Sequence, residues 1–122
     1  MNQSNAASKK VTAELTEVFS KSADNTIAYL GDHMGEWQAV EHIQAVYESF
    51  EGNVTDNPYM NRSCPDLRQL GVNTYREYIF KGLRIIYEVE EQQQIIVVTA
   101  LLFLTTRQSI QKQMVDFYLF QS

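Results

Sequence analysis

The sequence predicts a single α+β domain: an N-terminal strand and an αα-hairpin packed on an antiparallel β-meander, with a short C-terminal helix. Three observations carry that prediction. Apolar residues between Ser22 and Gly52 recur at spacings of three and four, the period of an amphipathic helix. From Thr74 onward the chain turns to Tyr, Ile, Phe and Val, interrupted by a Lys81-Gly82 dipeptide suited to a two-residue hairpin turn. The 122 residues, 44% of them hydrophobic, are enough for one core and too few for two.

Residues 1–8 are small and polar without periodicity and read as a flexible tail, which leaves 9–122 as the domain. Val11 to Phe19 fits a strand with Val11, Ala13 and Leu15 on one side. It also fits a helix with Leu15, Val18 and Phe19 at i, i+3 and i+4, and periodicity alone does not decide. Strand is adopted because residues 15–30, LTEVFSKSADNTIAYL, resemble the first strand and start of the first helix of the family named below. Ser22 then serves as N-cap of a helix carrying Ala23, Ile27, Leu30 and Met34 and ending at Gly35. A second helix presents Trp37, Val40, Ile43, Val46, Tyr47 and Phe50 on one face and stops at Gly52. Both prolines fall between Asn53 and Gly71, an irregular connector with one helical turn after Pro65.

Pairing across Lys81-Gly82 sets a register in which Phe80 meets Leu83, Tyr78 meets Ile85 and Arg76 meets Tyr87 on one face. Ile79 then meets Arg84, Glu77 meets Ile86 and Tyr75 meets Glu88 on the other. After a polar turn, Ile95 to Leu104 is apolar on both faces and reads as a central strand. Strict alternation puts Ile95, Val97, Leu101 and Phe103 on one side and Ile96, Val98, Ala100, Leu102 and Leu104 on the other. One of these faces is expected to lack cover within the chain. Ser109 caps a last helix with Ile110, Met114, Phe117 and Tyr118 on one side.

Composition excludes several function classes. Cys64 has no second cysteine to pair with, and with only His33 and His42 besides, no metal-ligand spacing exists, so no metal and no cofactor is expected. The N-terminus lacks the apolar stretch of a secretory signal, so the cytoplasm is the expected location and the Asn53-Val54-Thr55 sequon carries no meaning. The apolar run has about half the length of a membrane-spanning helix, and no membrane association is expected. A net charge of −5 opposes phosphate backbones, so direct sequence-specific nucleic-acid binding is not expected. The charge is uneven. Residues 1–57 carry three basic and nine acidic side chains (net −6), and residues 58–122 carry seven and six (net +1).

Specific strings lie in the second half: Pro58, Pro65-Asp66-Leu67-Arg68, Leu70-Gly71, Tyr75-Arg76-Glu77, Lys81-Gly82-Leu83-Arg84-Ile85-Ile86-Tyr87 and Arg107. Together with the element order, these resemble the ParE branch of the RelE/ParE toxin superfamily. The resemblance implies a bacterial toxin–antitoxin module of the kind linked to plasmid stabilisation, in which a small cognate antitoxin wraps the toxin. It also implies one of two activities: ParE-like members poison DNA gyrase without a catalytic site, whereas RelE-like members are ribosome-dependent mRNA endoribonucleases.

RNA cleavage needs an acid, a base and cations around the phosphate. By resemblance that set would be Arg76, Arg84, Arg107 and Tyr118. Each has a structural alternative: Arg76 against Tyr87, Arg84 diagonal to Glu77, Arg107 at a strand end, Tyr118 on an apolar helical stripe. An acidic helical hairpin suits a protein target better than the ribosome, which favours gyrase poisoning with no catalytic residues. Arg76, Arg84 and Arg107 then become candidate target contacts, and Trp37, Tyr47, Leu101 and Phe103 candidate antitoxin contacts. An inactive antitoxin-binding regulator is the third reading. As a partly exposed pair with Glu77, Arg84 is expected to contribute at most about 1 kcal/mol.

Overall fold

A computed structural model describes residues 9–114 of the chain. Strand β1 (Lys10–Leu15) leads into helices α1 (Glu17–Met34) and α2 (Glu36–Asp56), then a one-turn helix α3 (Pro65–Arg68). Strands β2 (Tyr75–Phe80), β3 (Leu83–Glu91) and β4 (Ile95–Thr105) follow, with a short helix α4 (Ile110–Met114) last. The sheet order is β1-β4-β3-β2, with β1 parallel to β4 and the other pairs antiparallel. The expected α+β architecture is present, with β4 central. The tail at 1–8, Phe117 and Tyr118 lie outside the described residues.

The ambiguous N-terminal segment contains both elements. The strand ends at Leu15, and the Thr16 hydroxyl accepts the Phe19 N–H at 2.9 Å, so the helix has its cap well before Ser22. Ser22 is therefore no cap. It is 1% exposed, donates to the Phe19 carbonyl at 2.8 Å and accepts the Phe103 N–H at 2.8 Å. The hydroxyl of Thr26, one turn on, reaches the Phe103 carbonyl at 3.1 Å. Since β1 pairs only with Ile95–Ala100 of β4, α1 takes over as the covering of that strand's edge, and two hydroxyls replace a strand's backbone groups.

Gly35, at φ 90°, makes the corner between the helices. Gly52 does not stop α2, which runs on to Asp56. Val54 is completely buried there, and that burial outweighs the roughly 1 kcal/mol cost of an interior glycine. Lys81 and Gly82 both take positive φ, 53° and 81°, as the two-residue turn requires. The β2–β3 register is the expected one, from Phe80 opposite Leu83 to Tyr75 opposite Glu88.

Strict alternation fails in β4. Ile86 faces Leu102 but Tyr87 faces Ala100, so Leu101 is the extra residue of a bulge and the faces exchange there. Val98, Ala100 and Phe103 consequently share one core with Phe19, Val46, Phe50, Tyr78 and Tyr87, under α1 and α2. On the other face, Ile86, Leu102 and Leu104 pack with Cys64, Leu67 and Ile110. The second face thus does have cover within the chain: the connector, α3 and the start of α4. The connector also pairs with the outer edge of β2, through Cys64 N–H to the Tyr75 carbonyl at 2.8 Å and Glu77 N–H to the Arg62 carbonyl at 3.2 Å.

Candidate functional site

A groove of about 410 Å³ lies between the facing sides of α1 and α2. Spacings of four build it: Phe19 and Ala23 from α1 oppose Ile43 and Tyr47 from α2, while Leu15 stands at one end and Phe103 forms the floor. One step round each helix, Asp24 and Glu48 give the groove carboxylate rims. The Tyr47 ring is held 5.8 Å from both Phe19 and Phe50. Burial, helped by the nearby Glu51 carboxylate, pushes its phenol above the ordinary tyrosine value, so it stays a neutral donor. Leu15 is 48% exposed, and among the described residues β1 has no strand on its outer side. Leu15 joins this groove, with its acidic rims, to the end of β1.

Two of the four candidate antitoxin contacts, Tyr47 and Phe103, line this groove. Phe103 is only 1% exposed, because the bulge turns it inward against Phe19, so it shapes the floor and offers little contact surface. Leu101 sits half-buried at the bulge. Trp37 stands apart on the first turn of α2, 76% exposed. Sequence reasoning passed over Leu15, Phe19, Ile43 and the carboxylates Asp24 and Glu48. The i, i+4 pairs Phe19/Ala23 and Ile43/Tyr47 were the signal that could have found them.

The three candidate arginines are not brought together. Arg76 is on the same sheet face as Tyr78, where it donates to the carbonyls of Tyr59 and Asn61 and lies 5.2 Å over the Tyr59 ring. Tyr87, directly opposite in register, accepts from Asn61 Nδ2 at 3.0 Å. Both side chains therefore brace the 58–61 segment. Arg84 is on the opposite face, its side chain 11% exposed, 3.6 Å from Glu77 Oε1 and 3.8 Å from Asp66. It also donates to the Gln108 carbonyl at 2.9 Å. Glu77 is 3% exposed and takes a second pairing from Arg62 at 3.3 Å. The diagonal Glu77–Arg84 pair expected from the register is present, with Glu77 buried and Arg84 the partly exposed member, which seats the pair deeper than a surface pair. Arg107 is exposed beyond the end of β4, and Tyr118 lies outside the described residues. No phosphate can touch Arg76 and Arg84 from one side of this sheet.

Among the described residues, no group of three or more His, Cys, Asp or Glu is placed to hold a metal ion, and no helix is long and apolar enough to cross a membrane.

A family model described as ParE toxin of type II toxin-antitoxin system, parDE, matches residues 7–102. The match runs from just before β1 into β4 and stops short of Arg107 and α4. Among solved structures, the fold is similar to a chain of a chromosomal ParDE TA system from P. aeruginosa, with a TM-score of 0.61 and 11% identity. That likeness covers 79% of this chain and 96% of the other. No curated protein matches the sequence.

Proposed function

The chain belongs to the ParE toxin family of type II toxin–antitoxin systems, and from that premise we propose that it arrests growth in the cytoplasm by poisoning DNA gyrase, held inactive by a cognate antitoxin. The observation that supports gyrase over mRNA is the dispersal of the arginines. Arg76 and Arg84 lie on opposite sheet faces and each is committed to structural partners, whereas in-line cleavage of RNA needs cations converging on one phosphate. Arg107, exposed and outside any described ion pair, becomes the first candidate for the gyrase contact, and Arg76 the second. The −6 charge of the first 57 residues points the same way, since a protein surface tolerates it and ribosomal RNA does not.

The antitoxin's place is the groove between α1 and α2. An extended or helical segment there would bury apolar side chains against Leu15, Phe19 and Tyr47 and set basic residues against Asp24 and Glu48. Trp37 supplies a further anchor where the segment passes the start of α2.

The deciding experiment pairs gyrase supercoiling and cleavage-complex assays with translation in an extract. Trapped cleavage complexes with intact mRNA support the proposal. Codon-specific mRNA cuts with normal supercoiling overturn it, and growth unaffected by expression leaves the inactive regulator. For the antitoxin, light scattering with the product of the adjacent reading frame should show a stable complex that Tyr47→Ala weakens.

A further inference from the structure

A second cavity, of about 370 Å³, opens at the far end of the helical hairpin and shares no lining residue with the groove. It is formed where the last turns of α1, the first half of α2, the Lys81-Gly82 turn and the end of β4 meet. We propose that it binds a phosphate-bearing ligand.

Its lining carries the argument. His33, His42, Lys81 and Arg107 all face it, and no Asp or Glu is among its lining residues. In a chain with fifteen acidic side chains and a net charge of −5, a cavity free of them is a local reversal of the surface. Asp32 and Glu36 are sequence neighbours of His33, but they line a separate cavity. Neither Lys81 nor Arg107 has an ion pair among the described residues. The Lys81 ammonium rests 5.3 Å from the Phe80 ring centroid, a contact that leaves its hydrogens available.

Backbone carbonyls orient the two imidazoles that line the cavity. His42 Nε2 lies 3.1 Å from the Lys81 carbonyl and His33 Nδ1 3.2 Å from the Tyr29 carbonyl. A carbonyl can only accept, so these nitrogens donate, and the other nitrogen of each ring is left as an acceptor for a hydroxyl or amino group of the ligand. Lys81 itself sits at φ 53°, a conformation that suits Asn, Asp or Gly and costs most other residues energy. A lysine there points to a use for its charge beyond the turn. Together the ammonium and guanidinium offer more N–H donors than a carboxylate can accept, and a phosphate matches them better. Tyr29, whose ring centroid is 5.3 Å from that of His33, and the apolar Leu30, Met34 and Leu83 would hold whatever carries the phosphate. That carrier is either a free nucleotide or the phosphorylated end of a nucleic-acid strand.

The test is calorimetric titration at fixed ionic strength with pyrophosphate, AMP, a 5′-phosphorylated oligonucleotide and its unphosphorylated form. Saturable pyrophosphate binding is expected, weakened about tenfold or more by Lys81→Asn and by Arg107→Gln and unchanged by Lys21→Gln elsewhere on α1. Lys81→Asn also relieves the turn, so its melting temperature should stay level or rise while binding falls, separating the site from the fold. Tighter binding of AMP than of either oligonucleotide assigns the free nucleotide; tighter binding of the phosphorylated oligonucleotide alone assigns the strand end. No saturable binding, equal loss in Lys21→Gln, or succinate bound as tightly as pyrophosphate would overturn the proposal. None of these outcomes depends on whether gyrase is the target.

Discussion

The two faces of the sheet are stabilised in different ways. Under α1 and α2, the face is aromatic: Phe50 packs edge-on to Tyr78 and Tyr87 at 5.6 and 5.3 Å, and Phe19 contacts Phe103 at 5.5 Å. The opposite face has a smaller aliphatic cluster beside a largely buried charge pair, covered by the connector, one turn of α3 and the start of α4. Long helices cover a face by repeating apolar positions every turn. Short segments cannot, and there the charged residues Glu77 and Arg84 supply directional contacts between β2, β3 and the covering loops. The strings that mark the family serve this scaffold: Arg76 and Tyr87 brace the 58–61 segment on one face, while Glu77 and Arg84 tie the other.

The largest expected effect is on the aromatic face. Phe50→Ala removes a fully buried ring from the centre of its cluster and should cost about 3–5 kcal/mol in urea unfolding. A loss below about 1 kcal/mol would mean that α2 is not seated on the sheet as described. On the opposite face, Glu77→Ala leaves Arg84 largely buried without its main partner and should cost about 3–5 kcal/mol. The double replacement Glu77→Leu with Arg84→Met should recover most of that, because apolar pairs of similar volume often match or exceed a buried ion pair. If the double variant is as unstable as the single one, the pair holds the covering segments in place and is more than a filler of space.

What the sequence disclosed follows the range of the interactions. The β2–β3 register was legible because a turn dipeptide and the alternation beside it are local. Ser22 was misread because its partner, Phe103, is 81 residues away, and a serine before an apolar stripe looks like a cap whatever it bonds. The Leu101 bulge left no trace, since Thr99 is the only polar residue between Ile95 and Leu104 and nothing after it marks a change of face. That one residue explains why Phe103 was expected on a partner surface. In the groove, Tyr47 was found and Phe19 and Ile43 were not, because the facing of two helices is decided by their crossing and not by either stripe alone. Arg84 was correctly placed beside Glu77, but its depth came from α3 and Gln108, which register does not describe.

Ser22→Ala tests the covering of the β4 edge, the seam between the two faces. It removes the acceptor of the buried Phe103 N–H, and an unsatisfied buried donor costs about 1–3 kcal/mol. Ser22→Thr should retain the bond, provided the added methyl is accommodated beside β4. A neutral Ser22→Ala variant would show that α1 is not needed to complete that edge.

The smallest effect is the most direct measure of how the two faces differ. Cys64 belongs to the second face and is fully buried. Burial pushes its thiol up, against the pull of the Leu67 and Asp66 amides, and Glu77 adds to the rise. The unfolded thiol ionises near about pH 8.5, so Cys64 contributes stability that is complete below about that pH and is lost as pH rises through the folded value. Unfolding free energy should therefore decline above about pH 8.5, and Cys64→Ala should lessen the decline before the half-buried Tyr47 and the buried Tyr87 phenols, also raised, add theirs above about pH 10. A neutral, enclosed thiol reacts only when its cover opens. Because that cover is short, a thiol reagent should label Cys64 by local opening, at a rate that stays nearly constant in dilute urea while global unfolding accelerates. Labelling that tracks global unfolding from the start would mean that the two faces open together, and that α3 and α4 hold as firmly as the long helices do.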